Sequence, residues 1–101
     1  MDFYIKKLNQ RQLESIHAIL KDNDGPFFEN ICERLVKFNP AFNYNTIYIE
    51  YCYPYNLASD YAIGIIETMK KTSITLSQLC NILQQSGYHH LSDAIKVNVF
   101  L

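Results

Sequence analysis

Apolar positions follow a helical period over most of this chain and lose it between residues 41 and 57. Leu13, Ile16, His17 and Leu20 fall at 0, 3, 4 and 7, one face of a 3.6-residue repeat. The helix they predict begins at Asn9 as N-cap, with Gln12 at N3 and Leu8 facing Leu13. That is a capping box with a hydrophobic staple, Asn standing in for Ser or Thr. It stops in Lys21-Asp22-Asn23-Asp24-Gly25, which is turn chemistry. Pro26 opens a second helix capped by Asp24 or Gly25, whose Phe27 or Phe28, Ile31, Cys32 and Leu35 share one side. It should end near Lys37, because Asn39-Pro40 pushes the residue before proline toward extended geometry.

From 41 to 57 the signals conflict. Thr46, Ile47, Tyr48, Ile49 and Tyr51 favour a strand by propensity, whereas Asn45 is placed to cap a short helix; a short helix is the prediction. Ser59 or Asp60 is expected to cap the next helix, which runs past Ala62, Ile63, Ile66 and Met69 to Lys70 and Lys71. Thr75, Gln78, Ile74 and Leu79 repeat the capping box and staple, and Leu76, Leu79, Cys80 and Leu83 supply an apolar face. Gly87 sits where a left-handed residue ends that helix. A final short helix through Leu91, Ala94 and Ile95 is expected to lead into an apolar tail of Val97, Val99, Phe100 and Leu101. The prediction is therefore an all-α chain of six helices joined by short loops.

Composition narrows what such a chain does. At 101 residues it is the size of one domain, with 49% hydrophobic residues and only 3 Gly and 3 Pro, which disfavours a turn-rich sandwich or a phosphate-cradling loop. Nine basic against ten acidic residues leave a net charge of −1, without the cationic surplus that nucleic acid requires. Cys32, Cys52 and Cys80 form neither an even disulfide framework nor a CxxC knuckle, and read as reduced core thiols. No apolar run reaches membrane-spanning or signal-peptide character, so a soluble, cytoplasmic protein is expected.

Candidate chemistry is sparse. Adjacent side chains on a helix point about 100° apart, so His89 and His90 cannot share one ion unaided, and a solvated helix start is expected there. His17 lies on the inward face of the first helix and reads as a packed imidazole. No acid/base pair, glycine loop or metal set converges, so neither catalysis, cofactor nor metal is expected. The distribution of charge and tyrosine is more informative. No Lys or Arg occurs between Phe38 and Met69, while Glu50, Asp60 and Glu67 fall inside that span. Six of the eight tyrosines, Tyr44, Tyr48, Tyr51, Tyr53, Tyr55 and Tyr61, lie there too, more than a domain this small can bury. Exposed aromatic residues beside acidic ones suit a protein interface.

Ala58-Ser59-Asp60 opening a helix, a Thr-Leu-x-x-Leu start at 75–79, then Leu83, Gly87 and a short closing helix form a recognisable pattern. It resembles the death domain, a six-helix antiparallel bundle. The resemblance spans nearly the whole chain and is strongest over 58–95, where it is most similar to the receptor-proximal Toll adaptors and the Pelle, Tube and interleukin-1-receptor-associated kinases. That branch usually carries a tryptophan in the second helix and another near the end of the fourth. This chain has no Trp; Phe27 or Phe28 stands in the first place and Thr68 or Met69 in the second.

The resemblance implies a non-enzymatic adaptor in innate immune or apoptotic signalling that assembles, as a homo- or hetero-oligomer, with other death-domain proteins. Carried over, the expected surfaces are the second helix with Glu29, Glu33 and Lys37; the turn with Lys21, Asp22 and Asp24; the third helix with Tyr48, Glu50 and Tyr51; and the end of the fourth with Glu67, Lys70 and Lys71. The nearest alternative is a death-effector or caspase-recruitment module, or a viral decoy of such assemblies. A small helix-turn-helix nucleic-acid binder using Lys6, Lys7, Arg11, Lys70 and Lys71 is less favoured, because 76–86 contains no Arg or Lys to meet phosphates or bases.

Overall fold

Side-chain caps decide where most of the helices begin. The computed structural model describes residues 3–55 and 57–99, and among them it contains six α-helices and no strand. Helix α1 spans Gln10–Leu20, and its capping box is complete: the Asn9 side chain accepts from Gln12 N at 2.8 Å while Asn9 N donates to Gln12 Oε1 at 3.0 Å. Helix α2 spans Gly25–Leu35 with Asp24 as its cap, accepting from Phe27 N at 3.0 Å, and it buries both Phe27 and Phe28. Helix α5, Leu76–Gln85, starts from the second box at Thr75 and Gln78. It ends in a Schellman motif, Tyr88 N donating to Leu83 O at 2.8 Å and Gly87 N to Gln84 O at 3.0 Å, with Gly87 at φ +88°.

Four expectations need correction. Helix α3 is only Tyr44–Ile47 and is capped by Asn43, which accepts from Thr46 N; Asn45 lies inside it. A π-helical turn, Tyr48–Cys52, follows directly. Ile47 and Cys52 are both buried, yet five residues of an ordinary α-helix would set them about 140° apart; the wider turn brings both inward. Helix α4, Ala58–Lys70, starts earlier than expected, from Leu57 and without a side-chain cap. Ser59 and Asp60 therefore lie in its first turn, where Asp60 meets the positive end of the helix dipole and Ser59 Oγ turns to His17 Nε2 at 3.3 Å. In the same helix Ile63 faces outward while Tyr61 and Ile65 are buried. Lastly, α6 is not short: it runs His89–Val99, with Leu91, Ile95 and Val99 continuing one stripe, and Gln12 Nε2 of α1 donates to Val99 O at 3.1 Å. Phe100 and Leu101 lie outside the described residues.

Helix α1 packs on α4 and α6, α5 packs on α6 and α2, and α2 also meets α3 and α4, so that the buried side chains form one cluster. The N-terminal segment joins this core. Ile5 is fully buried, and its backbone is clipped beside the start of α5 by Ile5 N to Ile74 O at 3.0 Å and Leu76 N to Phe3 O at 2.7 Å. Among the described residues no helix is long and apolar enough to cross a membrane.

Candidate protein-interaction surfaces

The third helix and its π turn rest on a glycine. A Cβ placed on Gly64 of α4 would lie 2.6 Å from Ile47 Cγ2 and 2.9 Å from Tyr51 Cδ2, so only glycine lets this segment sit so close. The segment is also held by aromatic stacking. Phe28, Tyr61 and Tyr44 form a column with centroids 5.4 Å and 5.0 Å apart and rings within 16° and 6° of parallel. Tyr48 lies 6.1 Å from Tyr61, and Tyr53 meets Tyr48 edge-on at 6.3 Å. Each such pair contributes about 0.5–1.5 kcal/mol beyond its buried area. The column carries the core of α2 and α4 outward to the surface.

Beyond it the chain exposes apolar side chains. Ile49 is 68% exposed, Tyr53 69%, Tyr55 78% and Leu57 55%, four large side chains within nine residues, with exposed Glu50 among them. Single exposed apolar residues are ordinary, whereas a run of this kind is the composition of an interface. Tyr44, Tyr48 and Tyr51 are half-buried and Tyr61 is buried, so the six tyrosines of this span divide between holding the ridge and forming it.

The thiols beneath it are poised for packing, not reactivity. Burial raises Cys32 from 9.0 to about 12, with a smaller push from Cys52, and burial together with Asp60 raises Cys52 from 9.0 to about 11. Tyr61 is likewise raised, first by burial and then by its hydrogen bond with Tyr44. An acid raised in this way keeps its proton in the fold after the unfolded chain has lost it. Its stabilisation is complete below pH 9 and disappears as pH climbs from 9 through 11 and 12. The urea midpoint is therefore expected to fall steeply between about pH 9 and about pH 12. A Cys32→Ala, Cys52→Ala double variant should flatten that fall; an unchanged slope would assign it elsewhere.

A second surface is concave and basic. Asn30, Glu33, Arg34, Lys37, Gln85 and Ser86 line a hollow of about 490 Å³ between α2 and α5. It adjoins one of about 280 Å³ that shares Arg34, Lys37 and Gln85 and adds Phe38. A third, of about 310 Å³, shares Phe38 and Gln78 and adds Lys71.

The expected site residues fall into different places. Lys21 and Asp22 are exposed in the α1–α2 turn, whereas the Asp24 carboxylate is occupied in capping α2. Glu29 and Glu33 line a crevice with Tyr44. Glu33 also reaches the α2–α5 groove beside Lys37, so the second helix presents two surfaces where one was expected. Tyr48, Glu50 and Tyr51 lie together on the π turn. Glu67 and Lys70 pair with each other at 3.2 Å on the α4 surface, the only ion pair among the described residues, and at this exposure it is worth well under about 1 kcal/mol. Both line a shallow depression with Ile63 and His17, while Lys71 turns to the groove holding Phe38, so the expected fourth-helix patch is split.

Sequence reasoning missed Ile49, Leu57, Arg34 and Phe38 as surface features. Ile49 and Leu57 flank the tyrosine run, and the exposure of such a run was the available signal; Arg34 and Phe38 carry none before α2 and α5 are brought side by side. His89 and His90 are exposed at the start of α6, and His17 Nε2 lies 3.2 Å from Ser59 O. No group of three or more potential metal ligands occurs among the described residues. Neither protein-family models, nor curated proteins, nor solved structures give a match to this chain.

Proposed function

We propose that this chain is a death-domain-like adaptor module, non-enzymatic and cytoplasmic, that works by assembling with other death-domain proteins in innate immune or apoptotic signalling. The observation that carries the reading is the ridge of Ile49, Tyr53, Tyr55 and Leu57, exposed beside Glu50 on a bundle of six α-helices. Support also comes from the start of α5 at Thr75 and the turn at Gly87, the local features on which the resemblance rests. Unlike charges on separate faces suit asymmetric contacts between like-folded partners, in which complementarity sets partner choice and encounter rate.

The test is size-exclusion chromatography with light scattering, run with purified death domains of Toll-type adaptors and receptor-associated kinases. Co-elution with at least one of them is expected. A Glu50→Lys, Tyr55→Ala variant should bind at least about thirty-fold more weakly, the loss typical of a central aromatic anchor, with an unchanged circular-dichroism spectrum. Binding only to caspase-recruitment or death-effector domains would move the chain to another branch of the superfamily. Salt-sensitive binding to DNA with no protein partner would replace the reading altogether.

A further inference from the structure

We propose that the chain carries both halves of a contact with itself: the acidic aromatic ridge of one copy seats in the basic groove between α2 and α5 of a second copy. The proposal rests on the reading of the chain as an assembly module and names the partner of its ridge.

The groove is walled by α2, α5 and the turn between α4 and α5, and its three hollows run on from one another through shared Arg34, Lys37, Phe38 and Gln78. Arg34, Lys37 and Lys71 supply three positive charges against Glu33, and none of the three is in an ion pair among the described residues. Phe38, 53% exposed, offers an apolar surface among them. The groove therefore selects a partner that is aromatic and acidic together. The ridge has that composition: Tyr53, Tyr55, Ile49 and Leu57 around Glu50, in the longest span without Lys or Arg. A tyrosine ring stacks on a guanidinium or on Phe38, its hydroxyl suits the amide of Gln85, and Glu50 meets Lys37 or Lys71.

Charge also fixes how two copies meet. Ridge against ridge sets Glu50 opposite Glu50, and groove against groove sets cations opposite cations, so a two-fold symmetric pair through either surface is repelled. Ridge against groove is the arrangement that pairs unlike charges. The exposure of Ile49, Tyr53, Tyr55 and Leu57 shows that a copy does not seat its ridge in its own groove. Such a contact closes as a two-fold pair if each copy's ridge enters the other's groove at once, and extends head to tail if one engagement leaves a ridge and a groove free. Its reliance on exposed charge makes it salt-sensitive.

The experiment uses two variants with complementary lesions: Arg34→Glu with Lys37→Glu blocks the groove, and Glu50→Gln with Tyr55→Ser blocks the ridge without giving it a charge that the altered groove would attract. Light scattering is followed from about 1 µM to about 1 mM, the range in which small interfaces associate. The unaltered chain is expected to associate with concentration, to a dimer or beyond, and to revert to monomer in high salt. Each variant alone should remain monomeric, and an equimolar mixture should form a one-to-one pair that stops there. A monomeric unaltered chain, a variant that assembles alone, or a mixture that fails to pair or grows past two would each overturn the proposal. Should a variant not fold, the unaltered chain decides the matter: its amide resonances at Ile49, Glu50, Tyr53, Arg34, Lys37 and Phe38 should broaden together with concentration, and broadening at another face would overturn it. An unaltered chain that stays monomeric yet binds a death domain removes this contact and leaves the proposed function standing, whereas failure of both removes both.

Discussion

Leu79→Asp is expected to abolish the folded state at 25 °C. Leu79 is fully buried on α5, on the face that meets the rest of the core. Losing its side chain forfeits about 1.5–3 kcal/mol of apolar burial, and an unpaired buried carboxylate adds several kcal/mol more. Together these approach the whole stability of a domain this size, about 5–15 kcal/mol. Far-UV circular dichroism and urea titration check it: the variant should show a large loss of helical signal and no cooperative transition. Leu79→Ala, which creates a cavity without the charge, should remain folded with a loss of about 2–5 kcal/mol. A Leu79→Asp chain melting within a few degrees of the unaltered protein would mean that α5 is not a core helix.

Gly64→Val is the second large expected effect, and it acts on the ridge. Ile47 Cγ2 and Tyr51 Cδ2 already stand 2.6 Å and 2.9 Å from where a Cβ would go, and Ile47 is a buried, β-branched side chain with little room to turn. The added carbons must push α3 and the π turn away from α4. Overpacking of this kind costs about 1–3 kcal/mol, or a fall in melting temperature of about 5–20 °C for a chain of this length. Binding to a death-domain partner should disappear even at temperatures where the variant is folded, because the ridge no longer stands where Tyr61 and Tyr44 hold it. Gly87→Ala provides the control. Its φ of +88° makes alanine unfavourable by about 1 kcal/mol, at the end of α5 where an added Cβ would meet nothing within 4 Å, so stability falls and binding persists. Equal loss of binding in both would show that the ridge answers to global stability alone.

What was legible beforehand was what is local. The starts of α1 and α5 were readable because Asn9 with Gln12 and Thr75 with Gln78 close their hydrogen bonds within four residues. Gly87 was readable for the same reason, since a left-handed C′ position selects glycine wherever the rest of the chain lies. The stretch around the π turn was not, because Ile47 and Cys52 point inward only through a five-residue spacing that neither the helical nor the strand period contains. Helix α4 begins without a side-chain cap, so the cap-bearing Ser59 and Asp60 pointed too far along the chain. The end of α6 was hidden by the apolar tail of Val97, Val99, Phe100 and Leu101, broken only by Asn98, although Leu91, Ile95 and Val99 hold an i, i+4 spacing. The surfaces were half legible. An excess of tyrosine over what a small core can hold announced exposed aromatics, but which charged groups share a surface depends on helix neighbours. For that reason Lys70 and Lys71 part company and Arg34 comes to Lys71's side of the molecule only in three dimensions.

The stacked rings give the protein an optical property of its own. It has no tryptophan and eight tyrosines, so its near-ultraviolet absorption and emission belong to tyrosine with nothing to mask them. Tyr44, Tyr48, Tyr53 and Tyr61 have neighbouring centroids 5.0 to 6.3 Å apart, close enough for excitation to pass from ring to ring. Depolarised fluorescence should follow from that exchange, and any molecule landing on Tyr53 would disturb the whole coupled set, so that docking is visible without a label.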